Sequence, residues 1–408
     1  MLRSMFSAIS GLRAHQTKMD TVANNIANVN TVGYKTSNTV FETTLTQVLR
    51  NGKSPDATEG GANPAQVGLG VKLAAITTDF GQGKTQNTGR ALDFMIQGDG
   101  FFVTRDGNQQ LFTRAGSFTF DGAGKLITAD GAVLQGWMAN PDGTVDTNGV
   151  TGDLSVSYGG TKTPQATDAA TLGGNLPSGA AVGATVQAQT TMYDGQGAEH
   201  IVSYVFTKTA ADTWSVGANE VDSTGTVLNT FAATPASITF GPDGRSTSPS
   251  VTLSGIPWPG ASDVVTSVTG MSQFSTGNAM NVTDQSGYAA GSLQSFALND
   301  DGTIMGVFSN GERQAIGKLA LATFNNPSGL VNMGNTSYAV GDNSGNALIG
   351  TAGSGSLGTL ASGALEMSNV DLSEEFTGLI IAQRGFQANS RVITASDELL
   401  QDLVNLKR

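Results

Sequence analysis

LSEEFTGLIIAQRGFQANSRVITASDELLQDLVNL, residues 372–406, places Leu372, Leu379, Phe386, Ile393 and Leu400 every seven residues. That interval returns a side chain to one face of a helix, so the row predicts a long amphipathic helix, flanked by Val392, Leu399, Leu403 and Leu406. The other end of the chain uses the same device: Met5, Leu12, Met19 and Ile26 are seven apart, with Leu2, Phe6, Ile9, Val22 and Val29 beside them. At 1.5 Å per residue the two helices would be on the order of 40 Å and 60 Å long. Each is apolar on more than one row, since Phe376, Ile380 and Ile381 widen the C-terminal stripe beyond a two-stranded seam. Paired only with each other, they would leave apolar surface in water, which marks an association site. Residues 1–50 carry five Lys/Arg and two Asp/Glu, whereas 363–408 carry four and seven, so opposite charges draw the two ends together. Gly378 and Gly385 each cost about 1 kcal/mol in a helix interior. We read them as positions where a neighbouring helix comes close.

Between the helices the pattern changes to period two. Gly is 54 of 408 residues and only 13% are charged, a composition of short strands and turns. Val67, Leu69, Val71, Leu73 and Ala75 alternate as one half-buried strand. Asp106-Gly107, Asp121-Gly122 and Asp130-Gly131 then punctuate an antiparallel meander. HIVSYVFTK, DTWSVGANEV and ASITFGPDGRSTSPSVTL form a second β group, and SFALNDDGTIMGVF with GKLALATF resumes the first style. The expected fold is mainly β with long terminal α-helices paired as a coiled coil around nested β domains. Residues 1–45 plus 364–408 would be the helical part, and 67–149 plus 282–349 an inner β domain built from both flanks. Residues 150–281 would be an inserted outer β-sandwich or barrel. The segments 46–66 and 350–363, rich in Gly, Pro and Ser, are expected to be linkers.

Several chemistries are excluded. There is no Cys and only two His, so neither a disulfide nor an ordinary zinc site is expected, and we assign no metal, no cofactor and no catalytic residue. His15 and His200 are read as structural. GQGKT at 81–85 lacks the first glycine of a phosphate loop, because Thr78 stands there, and is read as a turn. No GxSxG elbow occurs. Asp142, Asp146 and Asn148 do not have EF-hand spacing and are read as a solvated turn. A net charge of -12 argues against nucleic acid, and no apolar run approaches the roughly 20 residues that span a membrane. Arg3, Arg13, His15 and Lys18 interrupt any signal-peptide core, so export without a cleaved signal is expected.

ANNIANVNTVGYK, residues 23–35, carries the helical apolar spacing through Val22, Ile26 and Val29 while accumulating asparagines. Asn is a poor helix former but tolerates the left-handed conformation that ends helices, and Gly33 completes such a turn. One Asn would suffice. The surplus suggests amides bonding to neighbouring chains.

This stretch resembles the N-terminal signature of the axial proteins of the bacterial flagellum, and residues 365–406 resemble their C-terminal signature. VGLGVKLAAITTDFGQGKTQNTGRALDFMIQGDGFFV is similar to the first β domain of the hook and rod members, and the large insertion, including TTMYDGQGAEHIVSYVF, favours hook over distal rod. The resemblance implies a non-enzymatic subunit that leaves the cell through the type III export apparatus and polymerises under a cap. It would form a curved helical tube, a flexible universal joint outside the cell surface. The implied partners are copies of itself, the distal rod, the hook cap and the hook-filament junction proteins. It further implies that Leu2, Met5, Ile9, Leu12, Met19, Val22, Ile26, Leu372, Phe376, Leu379, Phe386, Ile393, Leu400 and Leu403 serve helix packing and assembly, and that Asn24, Asn25, Asn28, Thr31, Gly33 and Tyr34 serve the turn and intersubunit contacts.

Overall fold

The computed structural model describes residues 2–55, 60–157 and 159–405; the side chains of Leu2, Leu403 and Val404 lie outside the described residues. The chain divides into two compact units, one of residues 1–156, 296–305 and 315–408 and another of 157–295 and 306–314. Both terminal helices belong to the first unit.

Helix α1 runs Leu2–Ala27 and α2 runs Leu372–Asn405. Asp371 starts α2, its carboxylate accepting from the N–H groups of Ser373 and Glu374, two of the donors a helix start leaves unpaired. After α1 come strands β1 (Ser37–Thr43), β2 (Thr46–Arg50), β3 (Ala65–Gly68) and β4 (Val71–Thr78). β1 pairs antiparallel with β4 and β2 with β3, from Ser37 opposite Thr78 through Thr46 opposite Gly68 to a bridge between Lys53 and Ala62. The four strands are therefore two arms of one long ribbon, roughly 55 Å at the usual rise of a strand.

Two expectations are corrected here. The single strand proposed for 67–75 breaks at Gly70, whose φ of 123° no ordinary residue adopts readily, and its side chains are mostly exposed because the ribbon has only two strands. Residues 46–66, expected as a linker, contain paired ribbon. A loop whose backbone groups bond across to a second strand is stiffened, whatever its Gly and Pro content. Residues 350–363 differ likewise. Thr359–Ser362 pairs with Phe94–Gln97, and Leu360 is 1% exposed.

The main sheet of the first unit draws strands from both flanks of the insertion. Its order is Arg313–Leu319, Val133–Met138, Phe101–Asp106, Gln109–Thr113, Ser337–Ala339, Val331–Gly334, antiparallel throughout. Phe101, Val103, Phe112, Trp137, Ala320, Ala322, Phe324 and Tyr338 form a buried cluster on it. Edge-to-face contacts such as Phe112–Phe324, centroids 4.8 Å apart, orient the rings. The expected turns form at Asp106-Gly107 and Asp130-Gly131, with both glycines at positive φ.

The second unit is a sheet of nine strands wrapped around one core. Its order is Thr185–Tyr193, Glu199–Ala210, Thr213–Val221, Val227–Thr234, Ser250–Ser254, Val264–Ser272, Ala169–Asn175, Asn281–Gln285, with Ser237–Thr239 added to the third strand. All pairs are antiparallel except Ala169–Asn175 with Val264–Ser272. Strict alternation in Thr213–Val221 sends Trp214, Val216 and Ala218 inward to meet Tyr204, Phe206, Leu172 and Val268. The Tyr204 hydroxyl, its pKa pushed up to about 12 by burial, is satisfied by Thr266 Oγ1 at 2.7 Å.

Candidate assembly surface on the terminal helices

Glu375 Oε1 accepts from Asn25 Nδ2 at 2.8 Å. A Cβ added to Gly378 would lie 3.8 Å from Val22, one on Gly385 would lie 2.5 Å from the His15 ring, and one on Gly11 would lie 2.8 Å from the Asn389 amide. From contact to contact the residue number falls along α1 by the amount it rises along α2. The helices are thus antiparallel in constant register, with steps of three, seven and four residues that return to one face. The seam also holds Ala382, which is fully buried.

This seam is not the one the apolar rows suggest. Its centre is made of small and polar residues, and Gly11, His15, Ala382 and Asn389 were not anticipated. Small residues let the axes approach, so the large side chains cannot lie between them. Met5, Ile9, Leu12, Met19, Ile26, Leu379, Phe386, Ile393 and Leu400 are half-buried beside the seam, and only Val22 of the expected set is buried. Leu372, Phe376, Ile380, Ile381, Val392 and Leu399 are exposed, with Phe376 at 51% and Ile380 and Ile381 each at 57%. Leu2 and Leu403 fall among the side chains outside the described residues. Of the two glycines assigned to close approach, Gly385 fits, whereas 3.8 Å at Gly378 is ordinary van der Waals distance.

The asparagines are used within the chain. Asn25, 1% exposed, donates to Ser37 O and Glu375 and accepts from Tyr34 Oη and Ser37 N. A buried amide with this many partners locks the end of α1 to the start of β1 and to α2. Asn28 Nδ2 bonds back to Asn24, and Thr31 Oγ1 donates to Asn28 Oδ1. These bonds within the chain account for the Asn25 and Asn28 side chains. Gly33, at φ 69°, donates to Glu366 O, and a Cβ there would meet Ala115 N at 2.5 Å. Tyr34 is buried, and burial followed by the Glu375 charge raises its pKa. Burial likewise raises the Glu375 carboxyl.

Beyond this turn a fully buried ionic joint ties the helices to the β structure. Lys35 Nζ lies 2.7 Å from Glu366 Oε1 and donates to Gly81 O, while Gly83 N–H also donates to Glu366. Arg114 Nη1 reaches Glu366 Oε2 at 3.3 Å and Gly98 O at 3.0 Å, its guanidinium over the Phe101 ring. Burial pushes the Lys35 ammonium down, opposed by Glu366. Asn369 closes the joint, accepting from Thr36 and donating to Asp79 O. GQGKT is thus a turn whose backbone serves this joint. No sequence signal marked Lys35, Arg114 or Glu366, because they come together from positions far apart in the chain.

The remaining candidates have structural surroundings. His15 packs edge-on to Phe41, and His200 stacks on Trp258 with centroids 4.1 Å apart and Nδ1 2.7 Å from Glu220. Asp142 and Asp146 accept from Thr144 and Asn148 N–H groups in their own turns.

Four family descriptions match in chain order. Residues 5–35 match "Flagella basal body rod protein", 95–162 "Flagellar hook protein FlgE/F/G D1 domain", 166–288 "Flagellar basal body protein FlaE D2 domain", and 361–406 "Flagellar basal body rod FlgEFG protein C-terminal". The chain is 35% identical to the flagellar hook protein FlgE of Borreliella burgdorferi over 442 aligned residues, covering all of both chains. It is 35% identical to FlgE of Salmonella typhimurium, covering 99% of this chain and all of that one. It is also 31% identical to the flagellar basal-body rod protein FlgG of Bacillus subtilis over the whole of both. The crystal structure of Helicobacter pylori flagellar hook protein FlgE2 shares the fold, with a TM-score of 0.55 at 13% identity over 69% of this chain and all of that one. Full-length identity to hook proteins, with helices closing on a β body, places this chain in the flagellar hook protein FlgE family.

Proposed function

We propose that the chain is a structural subunit of the bacterial flagellar hook, without catalytic activity, which polymerises into a curved, flexible tube. In this reading the tube is the universal joint that passes motor torque from rod to filament and encloses the export channel. The subunit leaves the cell by the flagellar type III route, assembles beneath a cap, and meets the rod below and the junction proteins above.

The observation that carries the reading is the exposed apolar surface around a seam of small residues. Phe376, Ile380, Ile381 and Val392 on α2 and Phe6 on α1 lie in water on a helix pair whose own contact is already complete. Burying apolar surface stabilises by about 25 cal/mol per Å², so like helices of neighbouring copies gain by covering these rows. The ribbon and the buried joint supply a stiff connection through which twist passes from helices to β structure, in place of the tethers expected at 46–66 and 350–363. A distal rod subunit is the second reading, favoured by the full-length similarity to the Bacillus subtilis rod protein.

Negative-stain electron microscopy of the full chain beside a chain lacking residues 1–27 and 372–408 tests the proposal. Curved tubes from the full chain alone are expected. Straight, rigid tubes would favour the rod, and equal polymerisation of the trimmed chain would overturn assembly through the helices.

A further inference from the structure

The constant register of the helix pair has an end. Extending it from Gly11 opposite Asn389 brings Leu2 opposite Glu398, yet α2 continues to Asn405. The last two turns of α2 therefore project about 10 Å beyond the start of α1. They read LLQDLVN and follow directly on Asp397 and Glu398; Asp397, Glu398 and Asp402 are exposed, Leu399 is 56% exposed, and 397–405 hold no basic residue.

On a different face of α1 lies a groove of about 410 Å³ between the helix and β4. Its apolar lining includes Phe6, Ile9, Ala14, Val71 and Leu73, and its charged lining is Arg13 and Lys72. Glu42 pairs with Lys72 at 2.7 Å at one side. The lining spans Phe6 to Thr17 on α1, about 17 Å, which accommodates a two-turn helix. The chain's own overhang cannot enter, because α2 is a continuous helix that runs on past the start of α1, away from the groove.

Resting on the reading of the chain as a polymer subunit, we propose that the end of α2, residues 397–405 with the overhang as its last seven, of one copy seats in the groove between α1 and β4 of a second copy. Leu399 and Leu400 cover the apolar floor, while Asp397, Glu398 and Asp402 face Arg13 and Lys72. Such complementarity sets which face meets which and speeds encounter. The contact is head-to-tail: every copy has one overhang and one groove, so it propagates into a helical array rather than closing a dimer.

Charge swaps in the full chain test the pairing. R13E/K72E and D397K/E398K/D402K should each reduce sedimentable polymer at least tenfold, and the chain carrying all five substitutions should recover it. Recovery distinguishes docking from a folding defect. Single-set variants that polymerise like the parent, or a five-fold variant no better than either set, would overturn the proposal. The absence of cysteine from the sequence allows a second readout that does not need tubes. Mixing an L399C chain with an F6C or T17C chain under mild oxidant should give an intermolecular disulfide heterodimer. Heterodimer without tubes would keep the groove and sink the tube; tubes without heterodimer at either position would do the reverse.

Discussion

Gly378 and Gly385 show how little a residue's type says about its task. Both sit in the interior of α2, where Gly costs about 1 kcal/mol relative to Ala. At Gly385 that cost is offset by contact, since any side chain would run into the His15 ring; at Gly378 nothing comparable opposes a methyl group. G378A is accordingly expected to stabilise by up to about 1 kcal/mol, whereas G385A should destabilise by about 1–3 kcal/mol through overpacking. H15A should relieve part of the G385A defect in a double-mutant cycle read by denaturant unfolding, because the clash needs both side chains. Equal effects at the two glycines would mean that the seam does not run where the register places it. Asn25 teaches the same lesson: its identity suits a helix end, but its four hydrogen bonds require Ser37, Tyr34 and Glu375 to arrive from other elements.

At the scale of elements, the decisive feature is the joint where both terminal segments enter the β structure. Glu366 lies between Lys35 and Arg114 with all three buried, so removing its charge leaves two cations without compensation. Breaking such a pair from one side costs about 3–5 kcal/mol. E366Q should lower the stability of the first unit by that order, as measured by calorimetry. The penalty has a pH sign. Burial already depresses the Lys35 ammonium, so the unfolded chain binds the proton more tightly than the folded one. Stability of E366Q therefore rises with pH as Lys35 sheds its proton, and the gap to the parent should narrow toward alkaline pH. A gap that stayed constant would show that Lys35 is not the destabilised partner. The ribbon belongs to this scale too. Its two arms are held by backbone pairing, with Glu42–Lys72 and Arg50 to Asn63 O across the strands, so its rigidity comes from pairing rather than from a core.

For the molecule as a whole, each unit has its own buried core: Trp137 lies in that of the first, and Trp214 and Trp258 in that of the second. Units with separate cores unfold as separate cooperative transitions. We expect two calorimetric transitions, with W137F removing the fluorescence change from one and leaving the other intact. E366Q should move only the transition that W137F silences. A single transition that shifts as one for every substitution would contradict the division.

The sequence determined the elements and their class. Seven-residue apolar spacing required helices at both ends, period-two alternation with Asp-Gly turns required antiparallel strands between them, and the absence of Cys with only two His removed the usual metal chemistry. These are local properties, readable because side-chain periodicity reports the backbone geometry that carries it. The tertiary structure decided what meets what. Periodicity weights the largest apolar residues, so it located Leu379 and Phe386 but could not show that Gly11, Ala382 and Gly385 hold the seam and push those side chains outward. Composition made 46–66 and 350–363 look like linkers, because Gly and Pro describe local freedom. Backbone pairing across the ribbon, and between 359–362 and 94–97, depends on partners elsewhere in the chain. The Lys35–Glu366–Arg114 joint was invisible for the same reason: burying three charges is tolerable only once they are brought together, and only the folded chain brings them there.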